Sequence, residues 1–304
     1  MYDIASYYNA KTIKEAKELL VKHPEAHLVC GGSDVFIRIR EGKLAGCELI
    51  GIRDIENIRG VTMDRDGTLR IGAATTFSHL TKDPLIKTYL GVLGEAVDQV
   101  GGSQVRNIGT IGGNLCNGAV SADSAPTCFS LEVKLCLESV KETRIVEIED
   151  FYLGPGRVDR KEGEILTYIL VPKENYEGYT GHYIKYSMRN AMDIATLGCS
   201  VVCKADQEAR ILEDIKITFG VAAPVPLRCR ATEEKLKGKS INDDLFSLIE
   251  ESVRQEIHPR NSWRASRAFR LQIGGEIAKR ALCQALVKQQ AVDLMCYHRI
   301  FGEV

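Results

Sequence analysis

Two glycine pairs about eighty positions apart place the strongest constraint on the fold of this 304-residue chain. The first lies in Val29-Cys30-Gly31-Gly32-Ser33-Asp34 and the second in Asn107-Ile108-Gly109-Thr110-Ile111-Gly112-Gly113-Asn114. Adjacent glycines have no Cβ, so two backbone N–H groups can meet an incoming oxygen at close range. Ser33, Asp34, Thr110 and Asn114 add polar side chains. Such an arrangement suits a diphosphate held without a cationic side chain, as in a flavin dinucleotide that is buried and kept. Either pair alone also reads as a tight turn between a strand and a helix. The second segment, however, carries Val105, Ile108 and Ile111 at spacings that would bury it. Buried irregular backbone needs hydrogen-bond partners, which a ligand can supply.

The charge balance is even: 40 basic against 41 acidic side chains, formally −1. No basic stripe points to nucleic acid or a membrane surface. The start, Met1 to Tyr8, lacks a signal layout, and no stretch approaches the apolar run of a membrane span. A soluble, cytoplasmic protein of about two domains is expected. The ten cysteines contain no C-x-x-C. Cys199 and Cys203 read as small core residues, and Cys116 and Cys128, bordering the second glycine segment, are the candidates if an iron–sulfur cluster were present. The six histidines show no metal spacing, and no metal site is expected. Gly238-Lys239-Ser240 looks like the tail of a phosphate-binding P-loop, but Glu233 stands where that motif needs glycine.

The pattern of elements predicts an α+β chain. Residues 1–55 alternate helix and short strand: a helix from Thr12 to Val21 with a Thr12/Glu15 capping box, a strand from His27 to Cys30, Val35 to Ile39 next, and a strand from Leu49 to Ile52. A small α/β unit with some parallel pairing follows from that. Residues 56–172 read as a second subdomain, a mixed and largely antiparallel sheet with helices. It has a hairpin turn at Asp64-Arg65-Asp66-Gly67, a helix from Leu85 to Val100, and strands at 133–137, 144–148 and 164–171. The polar stretch 173–181 reads as a linker. Residues 182–285 form a last domain of a short antiparallel sheet with a helical bundle: strands at 182–188, 196–204 and 211–221, then helices at 231–236, 244–256 and 263–285. Residues 286–304 form a tail of weak periodicity.

Several segments together resemble the FAD-carrying medium subunits of molybdenum hydroxylases, those of bacterial xanthine dehydrogenases in particular. Besides the two glycine segments they are Gly154-Pro155-Gly156, Gly163-Glu164-Ile165-Leu166, Arg189 to Ala195, Phe219 to Pro224 and Ser262-Trp263-Arg264-Ala265-Ser266. The resemblance spans about residues 1 to 285. It implies one subunit of an oxidoreductase whose large partner carries molybdopterin and whose small partner carries two 2Fe-2S clusters, assembled as a dimer of heterotrimers. Electrons from the clusters would enter FAD here and leave as hydride to NAD.

By the same resemblance, His27, Leu28, Val29, Cys30, Gly31, Gly32, Ser33 and Asp34 would wrap the diphosphate and ribityl chain. Gly109, Thr110, Ile111, Gly112, Gly113 and Asn114 would close the other side, with Val100 and Leu166 packing on the cofactor. Asp123 would hold the adenosine ribose, although before Ser124 and Ala125 it also reads as a helix cap. Lys185 would sit beside the flavin ring, where a cation about 4 Å away would favour the anionic reduced form by at most ~4 kcal/mol at an effective dielectric near 20. Between Ile184 and Tyr186 it equally reads as a solvent-facing strand residue. Arg189 and Asp193 would brace the strand end, or form an ordinary surface ion pair. Two other readings stay open: a self-sufficient flavoprotein oxidase, and the FAD subunit of a hydroxylase acting on another N-heterocycle, an aldehyde, CO or an aryl-CoA.

Overall fold

A computed structural model of the chain describes residues 3–292. The first unit is a three-stranded sheet of Ile4–Asn9, Cys47–Gly51 and His27–Val29, in that spatial order, with both pairings parallel. Its first strand alternates half-buried and exposed residues and leaves little apolar signal, so the sequence pattern did not mark it. Helix Ile13–Lys22 starts where expected. The Thr12 hydroxyl accepts from the Glu15 N–H at 3.1 Å, while the Glu15 carboxylate reaches past Thr12 to accept from the Lys11 N–H. Ala16 and Leu20 bury its inner face against Ile50, Ile55 and Ile58. Residues Val35–Arg40 form a short helix.

The second unit is a five-stranded sheet in the order Val61–Met63, Leu69–Gly72, Ile165–Val171, Lys134–Glu138, Thr143–Glu147. Every pairing in it is antiparallel. The hairpin turn falls at Asp64–Gly67, with Gly67 left-handed at φ +87°. The helix expected over 85–100 is two helices, Pro84–Tyr89 and Gly91–Asp98. Leu90 leaves helical geometry at φ −127°, is fully buried, and precedes Gly91, a poor helix former. Tertiary burial of Leu90 outweighs continuation of the helix.

A four-stranded antiparallel sheet, Thr180–Tyr186, Leu197–Asp206, Ile211–Gly220 and Leu227–Arg228 in sequence order, builds the third unit. Helices Arg230–Leu236, Asp243–Glu256 and Arg267–Lys288 cover it around Leu197, Cys199, Cys203, Ile217, Leu282 and Cys283. The last helix begins at Arg267, not at Trp263, because the Ser266 hydroxyl caps it by accepting from the Phe269 N–H. It runs to Lys288, past the expected end. Ala291 and Val292 of the predicted tail bury themselves in the same core, and residues 293–304, with Cys296 and His298, lie outside the described residues.

The stretch 173–181 is tied down on both sides. The Tyr179 hydroxyl donates to Asp214 at 2.6 Å, and Lys216 donates to Asn175 and Glu132. Asp214 and Lys216 both belong to the third unit, while the Asn175 amide donates to the Glu132 carbonyl of the second at 3.3 Å, so this segment acts as a joint more than a free linker.

Arg144 grips Glu164 with two hydrogen bonds (2.6 and 2.9 Å) and Asp159 with a third (2.6 Å). Burial alone would raise the Glu164 carboxyl. The Arg144 hydrogen bonds and charge, with the Lys161 N–H, overcome this and hold it below the ordinary glutamate range. A lowered carboxyl contributes stability that is present above its unfolded-state value, about 4.3, and lost as pH falls through the lower folded value. The thermal midpoint is therefore expected to fall as pH drops below about 4. Glu164→Gln should be the less stable protein at pH 7 and approach wild type at low pH; parallel midpoint-versus-pH curves would show that Glu164 carries no such linkage.

Candidate cofactor site

The strand His27–Val29 runs off the parallel sheet into the first glycine segment, and the crevice beyond the carboxyl end of such strands is where α/β units bind ligands. Here the second segment closes that crevice. A Cβ on Gly31 would lie 2.1 Å from the Ile108 carbonyl oxygen, so the two backbones touch and only glycine fits. Gly32 turns left-handed at φ +73° and delivers Ser33 and Asp34 into the start of helix Val35–Arg40. The result is a cavity of about 660 Å³, within the range of small-molecule sites.

All the expected cofactor-contacting residues line this cavity except Val29, Ile111 and Lys185. Val29 and Ile111 are buried in the layers behind it. One expectation is corrected. The second glycine pair is not buried irregular backbone; it opens the helix Ile111–Cys116, and Ile108 is 37% exposed. The Gly112 N–H already donates to the Ala73 carbonyl (2.9 Å), and the Gly113 N–H to the Thr110 hydroxyl (3.2 Å). What these glycines supply is clearance. Gly112 lies against Ala73, whereas a Cβ on Gly113 would have only Thr110 Oγ1 nearby, at 3.0 Å, and would project into the space a ligand needs. Beside it, Asn114 Oδ1 accepts from the Ser124 hydroxyl at 2.7 Å, which leaves its amide NH₂ as the donor end.

The sequence reading needed no cations here, yet Arg38 and Arg160 both line the cavity. Burial lowers the pKa of His27 on the same wall, and the charges of Arg38 and Arg160 lower it further. Arg38 follows Asp34 by one helical turn, a spacing that could have flagged it. Arg160 arrives from the loop that precedes strand Ile165–Val171, and no local pattern marks it. The apolar part of the wall comes from Leu166, Val100, Phe77 and Val105, with Met192 and Ile194, each about half exposed, at the rim.

Asp123 lines the cavity and is 6% exposed. It stands at the N-cap of helix Ser124–Ser130, but its side chain makes no capping hydrogen bond. One carboxylate oxygen accepts from Tyr183 Oη (2.9 Å) and the other from Lys185 Nζ (2.8 Å), and that ammonium also donates to the Gln99 carbonyl. Burial pushes the Asp123 carboxyl up, opposed by Lys185 and Tyr183. Lys185 is thus neither solvent-facing nor an isolated cation: its side chain is 6% exposed and its charge is matched by Asp123. Arg189 is well exposed and Asp193 accepts from the N–H groups of Met188 and Arg189, which fixes the turn after the strand. Cys116, half-buried on the cavity wall, and the buried Cys128 have thiols pushed up to about 11 and about 12 by desolvation, and they pack as neutral side chains. Among the described residues, no group of three or more His, Cys, Asp and Glu could hold a metal ion.

Residues 2–174 match the family model described as the FAD binding domain in molybdopterin dehydrogenase. This chain is an FAD-binding subunit of the molybdenum hydroxylase family. Residues 182–285 of the FAD subunit match the CO dehydrogenase flavoprotein C-terminal domain. The subunit is 39% identical to the putative xanthine dehydrogenase FAD-binding subunit of Escherichia coli strain K12, over 94% of this chain and 97% of that one. It is 29% identical to the nicotinate dehydrogenase FAD-subunit of Eubacterium barkeri, over 76% and 79%. Among solved structures, a chain of carbon monoxide dehydrogenase from Hydrogenophaga pseudoflava superimposes with a TM-score of 0.88 at 27% identity, covering 95% of this chain and 99% of that chain. The residues present fit an FAD: a cavity of suitable size, a glycine cradle that a Cβ at Gly113 would fill, two arginines, and an apolar wall.

Proposed function

We propose that the FAD subunit holds one FAD non-covalently in the cavity between the two glycine segments and serves a xanthine dehydrogenase-like hydroxylase as its electron outlet to NAD. The meeting of both segments on one cavity, with Gly113 open to it, carries this reading. Bound FAD would supply the conversion of single electrons, arriving from the 2Fe-2S clusters of a small partner subunit, into a hydride for NAD. The chain's own residues bind and orient. Gly31, Gly32 and Gly113 give a diphosphate close backbone approach, and Arg38 and Arg160 offset its charge. Ser33 and the Asn114 amide donate hydrogen bonds, whereas Asp34, an anion, suits a ribityl or ribose hydroxyl. Asp123 keeps lone pairs for a ribose hydroxyl, and Lys185 favours its carboxylate form against burial. Leu166, Val100 and Phe77 cover apolar ring surface and exclude water.

The 39% identity to the E. coli protein favours xanthine as the substrate of the molybdopterin-bearing large subunit. That subunit and the small one would assemble with this chain as a dimer of heterotrimers in the cytoplasm. Denaturing the purified subunit is expected to release one FAD per chain into the supernatant. FMN instead of FAD, or a flavin that stays attached to the denatured chain, would contradict the diphosphate cradle.

A further inference from the structure

Arg260, Arg264, Arg267 and Arg270 follow one another closely, and no acidic residue occurs between Ile257 and Gly275. None of the four forms an ion pair among the described residues. Arg270 is 2% exposed. It donates to the Arg260 carbonyl and the Ser262 hydroxyl, and its Nε has no partner. Burial, and the nearby charges of Arg260 and Arg264, lower its pKa from the arginine norm. A buried cation without a counter-ion is costly, so a missing anion is indicated.

The exposed large hydrophobic residues around it in the chain are aromatic. Trp263 is 78% exposed, with the Arg264 guanidinium 4.2 Å from its ring centroid. Phe269 (43% exposed) meets Tyr186 edge-on at 5.8 Å, and Met188, two residues on, is 63% exposed. Exposed Trp, Tyr, Phe, Met and Arg are the residues enriched in the buried centres of protein interfaces. Met188 also begins the turn whose Met192, Asp193 and Ile194 line the cofactor cavity, so this face adjoins the cavity rim. A second copy of the chain would set arginine against arginine. An indole this exposed has no walls to enclose a small anion, which favours a broad protein surface.

We propose that residues 258–270, with Tyr186 and Met188, form the docking face for an acidic surface of the iron–sulfur partner subunit. The proposal rests on the electron-transfer reading above. Docking beside the cavity rim places the donor next to the cofactor, and a carboxylate from the partner neutralises the arginine cluster.

The test uses the full chain produced together with its two partner subunits. The double variant Trp263→Ser/Arg264→Glu and wild type are compared for subunit ratio by native mass spectrometry, and for FAD per flavoprotein chain, from low to high salt. Wild type is expected to shed the FAD-loaded subunit as salt rises. The variant should appear free of the iron–sulfur subunit, with roughly tenfold or greater weakening of association and its FAD retained. A variant with wild-type subunit ratio and salt profile overturns the proposal. Should the variant not accumulate in folded form, the wild-type titration decides: assembly insensitive to salt also overturns it. Wild type that assembles with this salt dependence yet carries no FAD would sink the FAD reading while leaving the docking face standing.

Discussion

Lys185→Met is expected to cost the fold about 3–5 kcal/mol, the range for removing one partner of a buried ion pair. Lys185 and Asp123 side chains are 6% and 7% exposed, and without the ammonium the carboxylate keeps only the Tyr183 hydroxyl. For a protein of this size the thermal midpoint should fall by on the order of 10 °C. Burial already raises the Asp123 carboxyl, so in the variant it can escape by taking up a proton. The deficit should therefore shrink as pH is lowered. Adding Asp123→Asn removes the stranded charge, and the double variant is expected to melt above the single one. Differential scanning calorimetry of the three proteins from pH 5 to 8 checks this, and a single variant as stable as wild type would mean that Lys185 does not pair with Asp123.

Gly113→Val should spare the fold and lose the cofactor. The position lies within helix Ile111–Cys116, its backbone is free of left-handed strain, and a new Cβ meets only the Thr110 hydroxyl. The branched side chain then occupies the cavity. Displacing a diphosphate from one neighbouring donor such as the Asn114 amide, a charge-assisted hydrogen bond worth about 1.5–3 kcal/mol, corresponds to binding weakened about 10- to 150-fold. Gly31→Ala makes the contrast: its methyl would strike the Ile108 carbonyl at 2.1 Å, backbone against backbone, so stability and cofactor should fall together. Flavin content and thermal midpoint measured side by side separate the two. Full occupancy in Gly113→Val would remove that helix start from the site.

Much of this was legible because local chemistry and tertiary role agree. The Thr12 cap, the Asp64–Gly67 turn and the 182–285 sheet with its helices announce themselves by pattern. The glycine segments announced a site because few other demands put Gly-Gly beside Ser, Asp and Asn. Three things were hidden. Strand Ile4–Asn9 lacks an apolar face strong enough to read. The 85–100 helix breaks at Leu90 because the core, not helix propensity, claims that side chain. The cavity's arginines and the Asp123–Lys185 pair depend on separations of tens of residues that only the folded chain brings together. The second glycine pair lines the cavity but not as the sequence suggested, since its N–H groups are already engaged and its contribution is space.

Hydrogen–deuterium exchange of the subunit, stripped of flavin and then reloaded with FAD, most directly tests where the cofactor sits. Protection is expected to rise together in residues 27–34 and 109–114, with a smaller gain around Asp123. FAD that protects neither glycine segment, or that protects instead the surface around Asp64–Gly67 and Lys173–Tyr179, would contradict the account.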